Sequence, residues 1–326
     1  EKRRITVIEK KLKIGNIEAS VPLLQGGMGV GVSLHNLAGS VSKEGGIGII
    51  STADIGYKEE DFGKDPMKAN IRAIGKEIKQ AREIAGEDKI LGVNVMVAIK
   101  NYSDIVKECV KQKIDLIISG AGIPKDLPEY VKNTSTKIAP IVSSFRCCKL
   151  IVEHWIKKYN YTPDMIVIEG PEAGGHLGFK KEELNEDTKP KLENITTEVV
   201  NYIKSVEKER KKDIPVIVAG GIWDAKDIKK FLNLGAKGVQ MATRFVATNE
   251  CDASIEFKKA YINAKSEDVK IINSPVGMPG RAINNEFIKK VENEKTKIER
   301  CYNCIKTCNV ANTPYCITKA LINSVK

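Results

Sequence analysis

One glycine-rich stretch of the sequence, IEGPEAGGHLGF at residues 168–179, contains side chains suited to acid–base chemistry. It contains two carboxylates and His176, the only one of the three histidines that stands among glycines. An imidazole with an ordinary pKa of about 6.5 can act as a general base, and glycine neighbours let a substrate approach closely. His35 and His154 lie in helix-like stretches and are interpreted as ordinary surface or packing residues. His176 is therefore the candidate catalytic residue.

Two other stretches carry groups suited to binding an anion. Gly220 and Gly221 in AGGIWD, and Ala242 and Thr243 in QMATRF, offer backbone N–H groups and a hydroxyl close to predicted helix starts. The alternative for the glycine pair is a tight turn without a ligand. Asn94 lies in the middle of an apolar run, where an amide is costly unless it is hydrogen-bonded. It is either a ligand contact or a buried structural amide.

The elements that must position these residues form a regular repeat. Eight short runs are apolar throughout, as expected for parallel strands buried on both faces. They are Pro22–Gln25, Ile47–Ser51, Leu91–Val95, Asp115–Ser119, Ala139–Ser143, Met165–Glu169, Pro215–Ala219 and Gly238–Ala242. Eight βα repeats in about 250 residues predict an α/β fold of the TIM type, a (β/α)8 barrel.

Amphipathic stretches between the runs are predicted to be helices, among them Asp104–Gln112, Cys147–Lys158 and Asp224–Leu234. In the last of these, Asp224 is a credible N-cap, and Asp227 follows at the third helical position. A doubly wound open sheet is the alternative fold. It is disfavoured because no G-x-G-x-x-G follows the first strand, and GGMGVG at residues 26–31 has its glycines at the wrong intervals.

In a (β/α)8 barrel the active site lies at the carboxyl ends of the strands. Nearly every loop that follows a predicted strand here begins with glycine, a small hydroxyl residue or an amide. Such loops suit a large flat ligand that is held mainly by backbone groups.

Residues 251–326 do not continue the repeat. Helical patterns over Ser254–Lys265 and Asn284–Arg300 flank a loop, NSPVGMPGR, and a cysteine-rich tail follows. We expect a barrel over residues 1–250 and a mainly helical cap with its tail over residues 251–326. Arg281 in the loop is either a contact for an anion or a solvated loop arginine.

The tail CYNCIKTCNVANTPYC places Cys301, Cys304, Cys308 and Cys316 at C-x2-C-x3-C-x7-C spacing. Four thiolates could bind zinc or an iron–sulfur cluster. Cys304 and Cys308 are also spaced one helical turn apart, which suits simple helix packing. Free thiols are the favoured interpretation, and no metal site is predicted.

Charge and composition exclude several classes of function. The net charge of +11 comes from lysines that are mixed with acidic residues in helix-like stretches, and aromatic residues are sparse, so a nucleic-acid interface is disfavoured. No apolar run reaches the roughly 20 residues of a membrane span, and the first residues lack the apolar core of a signal peptide. Eight cysteines without such a signal suggest a reducing, cytoplasmic setting.

Several motifs, taken in order, resemble those of the nitronate monooxygenase (2-nitropropane dioxygenase) family. They are PLLQGGMG, LGVNVMV, EGPEAGGHLG, VAGGI and GVQMATRF, between about Pro22 and Phe245, and SPVGMPGRAI is also similar. Close relatives of that family are the flavin-dependent enoyl-[acyl-carrier-protein] reductases. EAGGHxG combined with AGGI and QMATRF is the most specific part of the resemblance.

The resemblance implies a barrel that binds FMN without a covalent bond. The family's cofactor contacts would fall on Gln25, Gly26, Gly27 and Met28 along the ring, on Asn94, Glu169 and Gly174 beside it, and on Gly220, Gly221, Gln240, Met241, Ala242 and Thr243 around the phosphate. His176 would face the reactive side of the ring. It would bind an alkyl nitronate or remove the α-proton of a nitroalkane, and O2 would complete the oxidation to a carbonyl compound and nitrite. No reduced nicotinamide would be needed.

Glu169 leaves a second activity open. The family's monooxygenases often have Gln at this position, whereas many reductase-like members have Glu. The alternative is an NAD(P)H-dependent FMN reductase of enoyl thioesters or quinones. The inosine monophosphate dehydrogenases share the phosphate loops, but no cysteine follows the sixth strand here, so they are excluded. A non-enzymatic phosphate-binding barrel is the least favoured interpretation, and the oligomeric state is left open, with a homodimer as one alternative.

Overall fold

Strands and helices alternate through the first three quarters of the chain. In the computed structural model, which describes residues 11–326, the strands are β1 (Leu12–Ile14), β2 (Ile17–Ala19), β3 (Leu23–Gln25), β4 (Gly48–Ser51), β5 (Leu91–Met96), β6 (Leu116–Gly120), β7 (Lys137–Val142), β8 (Ile166–Glu169), β9 (Gly175–His176), β10 (Val216–Ala219), β11 (Gly238–Met241), β12 (Val269–Asn273) and β13 (Pro279–Ile283). The helices are α1 (His35–Lys43), α2 (Pro66–Ala85), α3 (Tyr102–Lys111), α4 (Leu127–Tyr130), α5 (Phe145–Tyr159), α6 (Leu192–Arg210), α7 (Ala225–Asn233), α8 (Thr243–Val246), α9 (Ile255–Asn263), α10 (Glu286–Asn293) and α11 (Ile317–Val325).

Eight of these strands form one parallel sheet that closes on itself. The sheet order is β3-β11-β10-β8-β7-β6-β5-β4. The ring is completed beside β4, where the Ile47 N–H donates to Leu23 O at 2.9 Å and the Gln25 N–H donates to Ile47 O at 3.0 Å. The predicted (β/α)8 barrel and its eight strands are confirmed, and the open-sheet alternative is wrong.

The apolar side chains form two cores because successive residues of a strand point to opposite faces. In β8, Ile166 and Ile168 pack in the outer cluster between strands and helices, together with Trp155 of α5. Val167 points the other way and joins the cluster inside the barrel. A strand that is buried on both faces therefore needs apolar residues at successive positions, which explains the continuous apolar runs in the sequence.

A hairpin that the sequence did not predict closes the amino end of the barrel. Its strands β1 and β2 pair antiparallel, with Leu12 opposite Ala19. Leu12, Ile14 and Ala19 belong to the same cluster as the inward side chains Leu24 and Ile217. The hairpin thus acts as an apolar plug.

The predicted helices are present with shifts of one or two residues at their ends. Helix α7 begins as expected, since the Asp224 carboxylate accepts the N–H groups of Lys226 at 2.8 Å and Asp227 at 3.1 Å. Asp227 in turn accepts the N–H of Trp223 at 2.9 Å. This reciprocal capping stabilises the start of the helix.

The C-terminal region contains helices α9 and α10 where two helices were expected, a third helix, α11, that was not predicted, and a hairpin where a loop was predicted. NSPVGMPGR forms the end of β12, a turn and the start of β13, and β13 also pairs with β9. The predicted helix Asn284–Arg300 is wrong beyond Asn293. There the Thr296 N–H donates to Pro314 O at 2.9 Å, so a tertiary contact overrides helix propensity.

Residues 251–326 also contact the barrel directly. The Asp252 carboxylate accepts the N–H groups of Leu34 and Leu37 at the start of α1, at 2.7 and 3.2 Å. Ile322 and Val325 of α11 pack in the outer cluster. We propose that this region is a cap on the barrel. Within residues 11–326, no helix is long and apolar enough to span a bilayer.

Candidate active site

Polar side chains line the inside of the barrel at the carboxyl ends of its strands. Glu169 of β8 pairs with Ala219 of β10, and Ala219 pairs with Gln240 of β11, so these residues share one layer. Across the barrel, Asn94 of β5 lies beside Ser51 of β4. Because Val167 and Ile217 point inward two residues earlier, the alternation also points Glu169 and Ala219 inward.

Three of these side chains have no hydrogen-bond partner among the described residues. Asn94 uses its main-chain carbonyl to accept from Thr52, but no bond within residues 11–326 reaches its amide. The side chains of Glu169 and Gln240 are likewise half-buried and unpaired within that part of the chain. Burial raises the pKa of Glu169 to about 7, so its carboxyl group is partly protonated near neutral pH.

The loop after β3 packs against this layer through its glycines. A Cβ atom at Gly27 would stand 2.6 Å from Asn94 Cβ, and one at Gly26 would stand 3.4 Å from Gln240 Cγ and 3.3 Å from Ala242 Cβ. Only a residue without a side chain allows the first of these approaches. Gly27 thus lies against Asn94, and Gly26 lies against Gln240 and Ala242, while a role for these five residues in binding a cofactor stays a prediction.

Three predicted cofactor contacts use their side chains elsewhere. The Gln25 amide is fully buried, accepts the Ile49 N–H at 3.1 Å and donates to Gly26 O, so it helps to close the barrel between β3 and β4. Met28 and Met241 pack against the outer cluster. At these positions only the main chain is left to meet a ligand.

The predicted phosphate loops lie side by side with the loop after β8. Gly220 and Gly221 have φ values of +93° and +75°, which favour glycine. A Cβ at Gly220 would stand 3.0 Å from Ala173 N and 3.1 Å from Gly170 O, whereas Gly221 is exposed. Thr243, at the start of α8, is also exposed. The carboxylates of Asp224 and Asp227 already accept the N–H groups at the start of α7. An anion bound here would therefore contact the Gly220–Gly221 turn and the Ala242–Thr243 turn instead of the end of that helix.

Arg281 holds the loop that precedes His176. Its Nη1 donates to Pro171 O at 2.8 Å and to Ala173 O at 3.4 Å, and it lies 3.6 Å from a Glu172 carboxylate oxygen. Arg281 therefore binds the backbone of this loop, and its interpretation as a solvated loop arginine is wrong. Gly174, further along the loop, has no atom within 4 Å of where a Cβ would stand, so it faces open space.

His176 is positioned by residues about 100 positions away in the chain. Its strand β9 pairs with β13, where His176 lies opposite Gly280. Its Nε2 is 2.7 Å from Ser274 Oγ, and this oxygen also accepts the Val276 N–H at 3.3 Å. Ser274 can therefore donate its own hydrogen to Nε2. Sequence reasoning had not singled out Ser274; its place in the SPVGMPGRAI motif was the only signal.

The surroundings of His176 favour a neutral imidazole. Burial lowers its pKa below the ordinary value, because a charged ring loses hydration there. A neutral histidine can accept a proton from a substrate. The other histidines lie elsewhere: His35 Nδ1 is 2.6 Å from a Glu77 carboxylate oxygen, and His154 stacks edge-on against Tyr159 of α5.

A family model described as nitronate monooxygenase matches residues 10–324. The chain is similar to a probable nitronate monooxygenase of Staphylococcus saprophyticus, with 28% identity over 85% of this chain and 79% of that protein. A probable nitronate monooxygenase of Staphylococcus aureus is also 28% identical, over 83% of this chain and 77% of that protein.

Solved structures show the same fold. FabK from Thermotoga maritima superposes with a TM-score of 0.64 at 30% identity, covering 83% of this chain and 73% of that one. A nitroalkane oxidase from Streptomyces ansochromogenes superposes with a TM-score of 0.65 at 20% identity, covering 83% of this chain and 79% of that one. At that identity the second likeness supports the fold alone.

Proposed function

The chain belongs to the nitronate monooxygenase family of enzymes, and on that premise we propose that it is an FMN-dependent oxidoreductase that oxidises alkyl nitronates with O2 to carbonyl compounds and nitrite. The observation that carries the proposal is the layer of unpaired polar side chains at the carboxyl end of the barrel. Asn94, Glu169 and Gln240 are oriented inward there without partners among residues 11–326. These side chains are only half-buried, so their polar atoms are available to a bound ligand, which would replace the water that otherwise satisfies them.

The carboxyl ends of the strands form the mouth of the barrel, and the polar groups there suit a flavin with a phosphate tail. An amide, a carboxyl group of raised pKa and a second amide offer both donors and acceptors to a heterocyclic ring. The turns at Gly220–Gly221 and Ala242–Thr243 offer N–H groups and a hydroxyl to the phosphate. We infer that Asn94 and Glu169 contact the ring, and that these turns hold the phosphate.

When bound, FMN would supply the electron-accepting chemistry that nitronate oxidation requires. His176 would hold the substrate, because it lies in the segment after β8, at the carboxyl end of the barrel, and Ser274 Oγ lies 2.7 Å from its Nε2. For a neutral nitroalkane, the neutral His176 would remove the α-proton, since burial lowers its pKa. Arg281 would keep the Pro171–Ala173 backbone in place beside it.

A second function is NAD(P)H-dependent reduction of an enoyl thioester or a quinone through FMN. Two observations favour it. Glu169 is the residue that many reductase-like members of the family carry, and FabK, an enoyl-[acyl-carrier-protein] reductase, is 30% identical to this chain, against 28% for the two probable nitronate monooxygenases of staphylococci. A carboxyl group that is partly protonated near pH 7 would also serve as a hydrogen-bond donor toward a reduced ring.

Anaerobic mixing of the flavin-loaded protein with each reductant distinguishes the two functions. The absorbance of the flavin is followed in a stopped-flow instrument after mixing with propyl-2-nitronate or with NADPH and NADH. We expect the nitronate to change the flavin spectrum rapidly and the nicotinamides to change it slowly. Rapid bleaching by a nicotinamide, with no response to the nitronate, would overturn the monooxygenase proposal in favour of the reductase. A protein that binds no flavin would overturn both.

A further inference from the structure

The segment between α10 and α11 is long and irregular. It runs from residue 294 to residue 316 without a helix or a strand, apart from one isolated bridge between Ile99 and Ile305. The interpretation of Cys304 and Cys308 as helix-packing residues is therefore wrong, because α10 ends at Asn293 and α11 begins at Ile317. Irregular segments of this length within a compact protein need some other source of order.

The four cysteines of this segment meet at one cavity. Cys301, Cys304, Cys308 and Cys316 all line a cavity of about 40 Å³ at the surface of the segment. The remaining cysteines lie elsewhere, and Cys109 and Cys148 are fully buried in the outer cluster of the barrel. The clustering is therefore specific to the tail.

A backbone contact holds Cys301 beside the cavity. The Asn303 N–H donates to Cys301 Sγ at 3.4 Å, and Asn303 has a φ of +55°. Lys100 also lines the cavity, and its Nζ donates to Asn303 Oδ1, so a positive charge stands beside the thiols.

We propose that Cys301, Cys304, Cys308 and Cys316 bind one divalent ion of the zinc type as a tetrathiolate site. Four sulfur ligands match the preference of Zn²⁺ for tetrahedral thiolate coordination, and Cys301 and Cys304 have the C-x2-C spacing common in such sites. The cavity of about 40 Å³ that the four cysteines line has room for a single ion. Each thiol loses its proton to solvent when it binds, and the Zn²⁺ charge with Lys100 offsets the four negative charges.

Binding of the ion would bring the four thiols closer together than they are in the structure. Among residues 11–326, no three His, Cys, Asp or Glu side chains already stand at ligating positions around one point, so binding must draw the thiols into the cavity they line.

Such a site would brace two elements at the mouth of the barrel. Cys304 O accepts the Lys100 N–H at 2.9 Å, and the Lys306 N–H donates to Ala98 O at 3.0 Å, which fixes the loop after β5. Ile305 and Cys308 pack in a cluster with Val276, in the turn that follows Ser274. The proposed ion is structural, and the proposal does not depend on the substrate of the enzyme.

The test is the metal content and cobalt binding of the full chain, purified under reducing and anaerobic conditions. Elemental analysis should find about one zinc per chain. Titration of the metal-free protein with Co²⁺ should produce sulfur-to-cobalt charge-transfer absorption that saturates at one equivalent. The Cys304→Ser and Cys308→Ser variants should lose both signals, while Cys147→Ser, a half-buried cysteine of α5, should keep them.

Three results would overturn the proposal. The first is metal-free wild-type protein that gives no cobalt–thiolate absorption although circular dichroism shows it to be folded. The second is cobalt binding of unchanged stoichiometry and affinity in Cys304→Ser and Cys308→Ser. The third is about four irons per chain with acid-labile sulfide, which would replace the single ion by a cluster. The cobalt titration uses the wild-type chain, so a misfolded variant does not prevent the test.

Discussion

The two ends of the barrel are built from the same eight strands and differ in what lies between them. At the amino end, Leu12, Ile14 and Ala19 of the β1–β2 hairpin fill the interior with apolar groups that contact Leu24 and Ile217. At the carboxyl end, three inward polar side chains, Asn94, Glu169 and Gln240, have no partner within residues 11–326.

The amino end of the barrel therefore contributes mainly to stability, whereas the carboxyl end carries the groups that we propose for binding and catalysis. The closed apolar end contributes burial, which stabilises the fold, whereas the half-buried polar groups of the open end gain no hydrogen bond within the fold and contribute less. Substitutions at the amino end should therefore lower stability and leave turnover alone. Substitutions at the carboxyl end should change turnover without lowering stability by a comparable amount, and removing a half-buried charge there should raise it.

The largest effect is expected at the open end, from His176→Asn. Turnover of a neutral nitroalkane should fall by about 10²–10⁴-fold, because the base that removes the α-proton is lost. Turnover of a preformed nitronate should fall much less, and the free energy of unfolding should change by about 1 kcal/mol or less. Steady-state kinetics on both substrates measures this. His154→Asn is the control, and full activity of His176→Asn on the neutral nitroalkane would contradict proton removal.

The pH profile of the wild-type enzyme sharpens the same prediction. A base whose pKa is lowered by burial is charged and inactive at low pH and becomes neutral as the pH rises. With a neutral nitroalkane, kcat/KM should therefore rise with pH, with an inflection below the 6.5 typical of histidine. An inflection above that value would contradict the assignment of His176 as the base.

At the closed end, Ile14→Ala should lower the free energy of unfolding by about 2–4 kcal/mol, because the fully buried side chain leaves a cavity in the plug. Urea unfolding measures the loss. The kcat of the folded fraction should match the wild type. Glu18→Ala, at an exposed position of β2, should stay within about 0.5 kcal/mol. A large loss of kcat in Ile14→Ala would break the separation of the two ends.

Glu169→Gln should stabilise the flavin-free protein by about 1–2 kcal/mol at pH 8, a value discounted because the side chain is only half-buried. The pKa of Glu169 rises from 4.5 in the unfolded chain to about 7 in the fold. Its contribution to stability is therefore complete below pH 4.5 and is lost as the pH rises through about 7. Unfolding curves across this range, with Glu182→Gln as control, measure the difference. No gain at pH 8 would show that Glu169 is hydrated at the mouth.

The smallest effect is expected from Ser274→Ala. Removing the hydroxyl that lies 2.7 Å from His176 Nε2 should lower turnover of a neutral nitroalkane by about 2- to 10-fold, the equivalent of one neutral hydrogen bond. Because that hydroxyl favours the neutral ring, the inflection of the pH profile should move upward. Ser266→Ala, which changes an exposed hydroxyl, is the control. An unchanged profile would show that Ser274 does not position His176.

The barrel could be predicted because each strand is continuous in sequence. Runs such as Ile166–Glu169 are apolar on both faces, so their type and position are visible without knowledge of the partners. The same holds for the start of α7, where Asp224 and Asp227 form a local cap. What could be predicted was determined within a few neighbouring residues.

The parts that could not be predicted depend on distant partners. Strand β9 has only two residues and exists because β13 lies beside it. The β1–β2 hairpin has strands of three residues, too short for a clear alternation. Arg281 gave no sign in the sequence that it would bind the carbonyls of Pro171 and Ala173. The roles of the predicted cofactor residues remain predictions, although the structure gathers several of them at one end of the barrel.

The pairing of β9 with β13 has a consequence for the order in which the molecule matures during synthesis. All eight strands of the barrel lie before residue 242, so they leave the ribosome first. The strand that pairs with β9 is made only with residues 279–283, and Ser274 follows the barrel by more than 30 residues. A nascent chain that exposes the eight strands but not residues 274–283 therefore lacks both the strand and the hydroxyl that position His176.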